Sequence, residues 1–180
     1  MHANSRCALD GRTAIVTGGG AGVGAAISLA LAAAKANLCI IGRSSDSLEI
    51  VAENARHYGV SATAYQADLG DAAEVDRLLA RLRRELDRVD ILVQNAAYYA
   101  TGQVEDASTE DLDRHYRVNL RAPFVLTRGL LPMLKANRVQ VVFVNSSSGV
   151  TAKPTTSQYD ATKHGLRALA DSLRGEVNEA

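Results

Sequence analysis

The segment Thr13-Ala-Ile-Val-Thr-Gly-Gly-Gly-Ala-Gly-Val-Gly24 joins a short β-branched run to a glycine-rich turn. The run Thr13–Thr17 is typical of a buried strand, and the Ala- and Leu-rich residues 23–36 predict a helix that packs closely on a sheet. Glycines between a strand and a helix permit a tight turn and let the backbone approach a pyrophosphate group closely. The helix N-terminus then presents free N–H groups and a partial positive charge to such an anion. The segment therefore predicts a dinucleotide-binding turn.

The glycines of this turn fit two spacings. The pattern Gly20-x-Gly22-x-x-Ala25 satisfies the dinucleotide fingerprint in its Ala-ended form, and a wider spacing that starts at Thr17 fits a variant of it. A turn that serves only the fold is the alternative, but the strand before it and the small-residue helix after it favour binding. The residues of the turn that we expect to contact a dinucleotide are Gly18, Gly20, Gly22, Val23 and Gly24.

Apolar strands alternate with helices along the rest of the chain. The further predicted strands cover residues 38–42, 62–67, 91–94 and 139–145. The further predicted helices cover residues 47–58, 71–86, 108 or 109 to 137, and 157–177. Strands that are apolar throughout and alternate with helices indicate a parallel sheet with both faces covered. We therefore expect one doubly wound, Rossmann-like α/β domain that spans residues 1–180.

Individual residues set the expected ends of these elements. Asp46 is predicted to cap the helix that follows the second strand, and Gly59 is predicted to end that helix. Pro123 and Pro132 are predicted to bend or divide the long helical region. Residues 96–107 are expected to form a loop.

The composition excludes several classes of function. The 180 residues include 20 basic and 20 acidic side chains, so the formal net charge is zero. This balance gives no reason to expect nucleic acid or a membrane as a partner. The two cysteines, Cys7 and Cys39, and the four histidines show no metal-ligand spacing, so no metal site is predicted. The N-terminus lacks a signal-peptide pattern and no apolar stretch is long enough to span a bilayer, so we expect a cytoplasmic protein.

The end of the second strand indicates which dinucleotide is bound. An acidic residue at this position would hold the ribose 2′-hydroxyl of NAD(H), but the sequence reads Gly42-Arg43-Ser44. The planar guanidinium of Arg43 suits a phosphate instead, which favours NADP(H) over NAD(H), with Ser44 beside it. Asp46 is the nearest carboxylate, and we interpret it as a helix cap. A solvated charge at the strand end is the alternative for Arg43.

A tyrosine and a lysine lie four residues apart in Tyr159-Asp-Ala-Thr-Lys163. On a helix, residues at this spacing share a face. A free tyrosine has a pKa of about 10, and a nearby cation can lower it by about 1–3 units. The pair therefore predicts a proton donor and acceptor that works near neutral pH. Pairs at this spacing also occur by chance on surface helices, so other motifs must support the interpretation.

Together these motifs resemble the short-chain dehydrogenase/reductase family over nearly the whole chain. The acidic residue of the family after the third strand matches Asp68, which is expected to contact the adenine together with Leu69. The Asn-Asn-Ala-Gly motif of the family falls on Gln94-Asn-Ala-Ala97 and departs from it at both ends. The methyl group of Ala97 is expected to crowd the backbone that passes the cofactor. The resemblance thus adds cofactor contacts at Asn95, Ala96 and Ala97.

The resemblance also implies a catalytic set and a reaction. The four catalytic residues are Asn119, Ser146, Tyr159 and Lys163. Ser146 lies 13 residues before Tyr159, although the adjacent serines at 147 and 148 leave an offset open. The implied reaction is hydride transfer between a nicotinamide and a carbonyl or alcohol carbon of a small molecule. Tyr159 would be the general acid and base, Ser146 would donate to the substrate oxygen, and Asn119 would position a water. Tyr159 and Lys163 would also contact the cofactor, with Lys163 holding its ribose.

The end of the sequence departs from the family pattern. The resemblance implies the strand order 3-2-1-4-5, and members of the family continue with two more strands. The fifth strand would then be an open apolar edge, so we expect either a truncated chain or a partner that covers the edge. Helices in the positions of residues 109–137 and 157–177 pair between subunits in the family, which implies a homo-oligomer. A nucleotide-binding module without turnover and an inactive fragment are the alternatives to an enzyme.

Overall fold

The computed structural model describes residues 8–135 and 140–178. Within these residues, one parallel sheet has the strand order β3-β2-β1-β4-β5, which confirms the doubly wound fold and the predicted order. The strands are β1 (Thr13–Thr17), β2 (Asn37–Gly42), β3 (Ala62–Gln66), β4 (Ile91–Gln94) and β5 (Gln140–Phe143). The helices are α1 (Gly22–Ala33), α2 (Ser45–Arg56), α3 (Ala72–Glu85), α4 (Thr109–Tyr116), α5 (Ala122–Lys135) and α6 (Ser157–Asn178).

The sheet carries an apolar core on each face. Successive side chains of β1 point to opposite faces, so Ala14 and Val16 pack towards α1 and α2, whereas Ile15 packs towards α3 and α5. Cys39 of β2 lies in the core between the sheet and helices α3 and α5. It is a free, buried thiol, and burial raises its pKa to about 12. Cys7 lies outside the described residues. None of the described helices is long and apolar enough to cross a membrane.

Three predicted boundaries of the first two helices are wrong, and helix α2 ends at Arg56, two residues earlier than predicted. The other two have local reasons. Helix α1 ends before residue 36 because Lys35 adopts a left-handed backbone conformation with φ of 76°. The N–H of Ala36 then bonds to the carbonyl of Leu31 at 3.0 Å, a pairing that closes the last turn of a helix. Helix α2 begins earlier than predicted because Ser44, and not Asp46, is its cap: the Ser44 hydroxyl accepts from the N–H of Ser47. Asp46 lies in the first turn of the helix.

The predicted helical region 108–137 is divided, as its prolines suggested, into α4 and α5. A π-helical segment, Arg117–Arg121, joins them, and the N–H of Ala122 bonds back five residues to the carbonyl of Arg117. Pro123 follows at once and has no N–H to offer the preceding turn. Pro132 lies inside α5. Residues 136 and 137 of the predicted helix lie outside the described residues.

Strand β5 is shorter than predicted and lies at the edge of the sheet. The described part runs over Gln140–Phe143, and residue 139 of the prediction lies outside the described residues. Among the described strands, β5 pairs with β4 alone. Val142 remains 42% exposed on it. The strand thus offers the apolar edge that the sequence predicted.

Asp90 holds the sheet together at the edge opposite the glycine turn. Its carboxylate accepts from the backbone N–H of Thr13 at 2.9 Å and from the guanidinium groups of Arg12 at 2.7 Å and Arg88 at 2.8 Å. Burial raises the pKa of Asp90, but these donors outweigh it and hold the pKa at about 2. The start of β1 is therefore fastened to the start of β4 by a charged carboxylate.

Candidate functional site

The glycine turn follows β1 at the carboxyl edge of the sheet and passes close to the first turn of α1 and to the loop after β4. Gly18 and Gly22 have positive φ values of 64° and 52°, which favour glycine. A Cβ atom on Gly24 would lie 2.1 Å from the carbonyl oxygen of Gly18 and 2.5 Å from the side-chain nitrogen of Asn95. Only a residue without a side chain fits there, so the first turn of α1 can lie directly against the turn.

Thr17 connects the glycine turn to the loop after β4. Its hydroxyl accepts from the backbone N–H groups of Asn95 at 2.9 Å and Ala96 at 3.0 Å, and donates to the carbonyl of Val93 at 3.2 Å. One donor and two acceptor positions are all that a threonine hydroxyl has. The side chain of Asn95 returns a bond to the Thr17 carbonyl at 3.0 Å. The sequence placed Thr17 in the glycine motif but did not reveal this function.

Two adjoining cavities lie along this edge. The larger, of about 640 Å³, is called the glycine cleft here, and the smaller, of about 120 Å³, extends towards the end of β3. Arg43, Ala96 and Ala97 line both cavities, so the methyl group of Ala97 lies at their junction. Predicted cofactor residues that line the glycine cleft are Gly18, Gly20, Val23, Gly24, Arg43, Ser44, Asn95, Ala96 and Ala97. Predicted residues that line the smaller cavity include Asp68 and Leu69.

The close-packed glycines and the continuous cavities fit an adenine dinucleotide. Gly22 does not line the cleft; its positive φ shapes the turn instead. Residues at the cleft that the sequence analysis did not select are Ala21, Gly42, Ser47 and Leu48. These residues lie within four positions of a predicted cofactor residue, and this proximity could have identified them from the sequence.

Arg43 leaves the end of β2 with an exposed side chain between the two cavities. The side-chain amide of Gln66, at the end of β3, donates to the Arg43 carbonyl at 3.0 Å and fixes the backbone there. The guanidinium has no hydrogen bond or ion pair within the described part of the chain. It is therefore available to an anionic ligand.

Asp68 lies on the smaller cavity and is engaged within the protein. One carboxylate oxygen accepts from the N–H of Gly70 at 2.8 Å, and the other lies 3.4 Å from the guanidinium of Arg114. The same guanidinium lies 5.1 Å from the centre of the Tyr98 ring, a cation–π contact. Sequence reasoning missed Arg114, since nothing local links a residue of α4 to the end of β3.

The predicted pair of Tyr159 and Lys163 lies on the first turns of α6, as expected. Lys163 is 2% exposed; its ammonium lies 5.6 Å from the centre of the Tyr159 ring and donates to the carbonyl of Val144 at 2.9 Å. Burial raises the pKa of Tyr159, while a hydrogen-bonding interaction with Ser146 acts the other way. The expectation of a lowered pKa at Tyr159 is therefore wrong in this state, because burial is the largest influence on the phenol. Burial in turn lowers the pKa of Lys163.

Ser146, Tyr159 and Lys163 lie together but do not line the two cavities described above. Ser146 is the residue before a short 3₁₀ turn, Ser147–Gly149, and its hydroxyl also accepts from the N–H of Ser148 at 3.2 Å. The structure brings Ser146 to the phenol of Tyr159. The spacing argument for Ser146 over its neighbours agrees with this placement.

Asn119 lies in the π-helical segment and is fully buried. Its side-chain oxygen accepts from the N–H of Tyr98 at 2.7 Å, and its amide donates to the Tyr98 carbonyl at 2.9 Å and to the Thr162 hydroxyl at 3.1 Å. The side chain therefore ties the loop after β4 to α6, one residue from Lys163. This is a positioning role that the sequence did not predict.

Two further aromatic residues surround Tyr159. The ring of Tyr99 packs edge-on against it with centroids 4.9 Å apart, and the ring of His115 lies 6.2 Å away. His115 is buried: one nitrogen donates to the carbonyl of Asp111 at 2.7 Å and the other accepts from the N–H of Ala100 at 3.2 Å. Both ring nitrogens of His115 are therefore engaged by backbone groups, and the side chain ties the loop after β4 to α4. Among the described residues, no group of three or more His, Cys, Asp or Glu could hold a metal ion.

Comparisons of the sequence and of the structure with known proteins agree with one another. A sequence profile of the family described as short chain dehydrogenase matches residues 12–180. Oxidoreductase UcpA of Salmonella typhimurium is 34% identical over 174 residues, which are 96% of this chain and 66% of that protein. A provisionally assigned NAD(P)-dependent gluconate 5-dehydrogenase from Beutenbergia cavernae, solved with NADP at low occupancy, has a TM-score of 0.88 at 33% identity, over 95% of this chain and 68% of that one.

The structure of an NAD+-bound xylitol dehydrogenase is similar in fold, with a TM-score of 0.88 at 24% identity over 96% of this chain and 67% of that one. The two similar structures thus hold different nicotinamide cofactors. The chain spans about two thirds of the length of UcpA and of both solved proteins.

Proposed function

Because this chain belongs to the short-chain dehydrogenase family, we propose that it acts as an NADP(H)-dependent oxidoreductase on a small alcohol, ketone or aldehyde. The observation that carries the proposal is the meeting of Ser146, Tyr159 and Lys163 at the carboxyl edge of a sheet that also carries the glycine cleft. In the proposal, residues 1–180 form one nucleotide-binding domain.

The binding half of the site rests on the glycine cleft and the cavity beside it. The glycine turn and the N-terminus of α1 would receive the pyrophosphate, while Asp68 and Leu69 would border the adenine. The unpaired guanidinium of Arg43 supports NADP(H) over NAD(H), since it would otherwise meet only solvent. The nicotinamide, when bound, supplies or accepts the hydride.

The chemical half is proton transfer at the substrate oxygen. Tyr159 would donate its phenolic proton when a carbonyl is reduced and take the proton back when an alcohol is oxidised. Ser146 would donate a hydrogen bond to the same oxygen as charge develops there. Lys163 is held close to the phenol by Val144 and would turn from that carbonyl towards the cofactor ribose. Asn119 would keep the loop of Tyr98 and helix α6 in register and position a water.

A nucleotide-binding module without turnover is the second candidate. It is favoured by the fact that the predicted catalytic side chains do not line the two cavities described. We further propose a cytoplasmic location and a homo-oligomer. The oligomer is supported by Leu112, Tyr116 and Phe124, which expose large apolar side chains along α4 and α5. Light scattering at micromolar concentration that shows a single monomeric species would contradict the oligomer.

The test combines binding with turnover. Calorimetric titration with NADPH and NADH should show tighter binding of NADPH, and a panel of carbonyl compounds should then be screened for NADPH oxidation. Tyr159→Phe should keep the affinity for NADPH and lower turnover by about 10²–10⁴-fold, because it removes the acid alone. Tyr99→Phe, the stacking partner, is the matched control and should keep its activity. NADPH binding without turnover of any compound would favour the binding module, and tighter binding of NADH would refute the NADP(H) assignment.

A further inference from the structure

A third cavity, of about 490 Å³, opens beside the glycine cleft and is called the arginine groove here. Its basic side chains are Arg43 from the end of β2 and Arg77 and Arg81 from α3. Arg43 lines both the arginine groove and the glycine cleft, so the two cavities share this side chain as a wall. A ligand that fills the cleft therefore passes next to the groove at Arg43.

The guanidinium groups of the groove differ in their partners. Arg81 is bound to Glu85 at 3.0 Å and lies 4.5 Å from the centre of the Tyr65 ring. Arg77 is exposed and, like Arg43, has no hydrogen bond or ion pair among residues 8–135 and 140–178. Arg77 and Arg81 lie four residues apart and share one face of α3. The groove thus combines one fixed arginine with two that are free to bind an anion.

The two carboxylates at the groove do not neutralise these arginines. Glu74 accepts from the backbone N–H of Asp68 at 2.7 Å, and the Asp68 carboxylate is engaged by Gly70 and Arg114. Both carboxylates therefore serve the loop after β3. The excess of positive charge remains on the side of Arg43 and Arg77, where planar guanidinium groups suit a phosphate in a bidentate geometry.

Resting on the proposed function, we propose that Arg77 of α3 acts with Arg43 as a second ligand of the phosphate on the 2′ position of the cofactor adenosine. Arg43 approaches this phosphate from the cleft and Arg77 from the groove. The preference for NADP(H) is then divided between two elements, the end of β2 and the second turn of α3. Arg77 is thereby a determinant of specificity that makes no contact with the rest of the dinucleotide.

The test uses two probes that differ by the 2′-phosphate alone, 2′,5′-ADP and 5′-ADP, titrated by calorimetry into the full chain. Arg77→Gln should weaken 2′,5′-ADP by about 10-fold, the order of one charge-assisted hydrogen bond, and should leave 5′-ADP unchanged. Arg43→Gln should act in the same direction, and the double variant should bind both probes alike. Arg84→Gln is the matched control, since Arg84 lies on the same helix, is 71% exposed and does not line the groove.

The outcomes separate the inference from the function on which it rests. If wild type prefers 2′,5′-ADP and Arg77→Gln does not change that preference, the role of Arg77 is overturned while the NADP(H) assignment stands. If wild type binds both probes equally, the 2′-phosphate site and the NADP(H) preference both fail, and dinucleotide binding remains. If neither probe binds, inorganic phosphate is titrated instead and the arginine side-chain signals are followed by NMR. A phosphate-induced signal shift that is lost in Arg77→Gln supports an anion site at Arg77. The absence of any shift overturns the inference.

Discussion

The ammonium of Lys163 lies 5.6 Å from the centre of the Tyr159 ring and donates its hydrogen bond to the carbonyl of Val144, one residue beyond the end of the β4-paired register at Phe143. The charge of the lysine is therefore compensated by a carbonyl, and burial is the dominant influence on the phenol. In the absence of cofactor the site favours the neutral tyrosine. A ligand that draws Lys163 away from Val144 would change the balance.

This arrangement predicts how Tyr159 titrates without cofactor. Its pKa is raised above the ordinary value of 10.0, so its phenolate should form only above pH 10. The ultraviolet difference spectrum between wild type and Tyr159→Phe across alkaline pH would isolate this one phenol. Lys163→Met should leave the midpoint close to that of wild type. A wild-type midpoint below 10 that rises in Lys163→Met would show that the ammonium controls the phenol after all.

Thr17→Val should destabilise the protein far more than its small change in shape suggests. Valine keeps the volume but leaves the N–H groups of Asn95 and Ala96 without their acceptor. Each buried unsatisfied donor costs about 1–3 kcal/mol, so we expect a loss of about 3 kcal/mol in the free energy of unfolding. Urea denaturation measures it. Thr13→Val on the same strand is the control and should change stability by less than about 1 kcal/mol. Equal losses in the two variants would contradict the inference that the Thr17 hydroxyl connects the glycine turn to the loop after β4.

Gly24→Ala should damage both stability and nucleotide binding. The added Cβ would lie 2.1 Å from the carbonyl oxygen of Gly18. Only a movement of the backbone could relieve this contact. We expect a loss of about 3 kcal/mol or more and no measurable binding in calorimetry. Gly175→Ala in α6 meets nothing within 4 Å and should stabilise by up to about 1 kcal/mol through helix propensity. If the Gly24→Ala variant were stable and bound nucleotide, the close approach of α1 to the carbonyl of Gly18 would be refuted.

The low pKa of Asp90 predicts how the stability of the fold decreases in acid. The pKa of Asp90 is about 2 in the folded chain against 3.8 for the ordinary group, so its contribution is present above about pH 4 and is lost as pH falls towards 2. Asp90→Asn should therefore cost about 2 kcal/mol at pH 7. The gap between variant and wild type should close near pH 2 in chemical denaturation. The exposed neighbour offers the control: Asp87→Asn should change the free energy of unfolding by less than about 0.5 kcal/mol at pH 7. A gap between Asp90→Asn and wild type that does not depend on pH would count against a charged Asp90.

Local patterns predicted the parts of the molecule that local chemistry determines. Strand β1, the glycine turn and the start of α1 follow from a β-branched run, glycines and small residues. The end of α1 did not follow, because a lysine at position 35 gives no signal of a left-handed conformation. Ser44 and Asp46 are both good caps, and only the geometry of the chain entering α2 selects Ser44.

Contacts between distant segments account for the rest of the site. Asp68 and Arg114 are 46 residues apart, and Asn119 reaches Thr162 across 43 residues. No periodicity or spacing argument links such positions, since they become neighbours only when the sheet is assembled. The contact of Lys163 with Val144 and the burial of Tyr159, which raises its pKa, are of the same kind, since both arise only in the assembled fold.

The π-helical segment Arg117–Arg121 makes the chain one residue longer than an unbroken helix would need between α4 and α5. Removal of one residue from it would restore regular winding, and α4 and α5 would keep the faces that they present to the sheet, because an unbroken helix needs one residue fewer. Asn119 lies inside the segment, so its side chain would change direction and lose its bonds to Tyr98 and Thr162. A single deletion here would therefore leave two intact helices and still separate the loop after β4 from α6, so the extra residue serves the site and not the core.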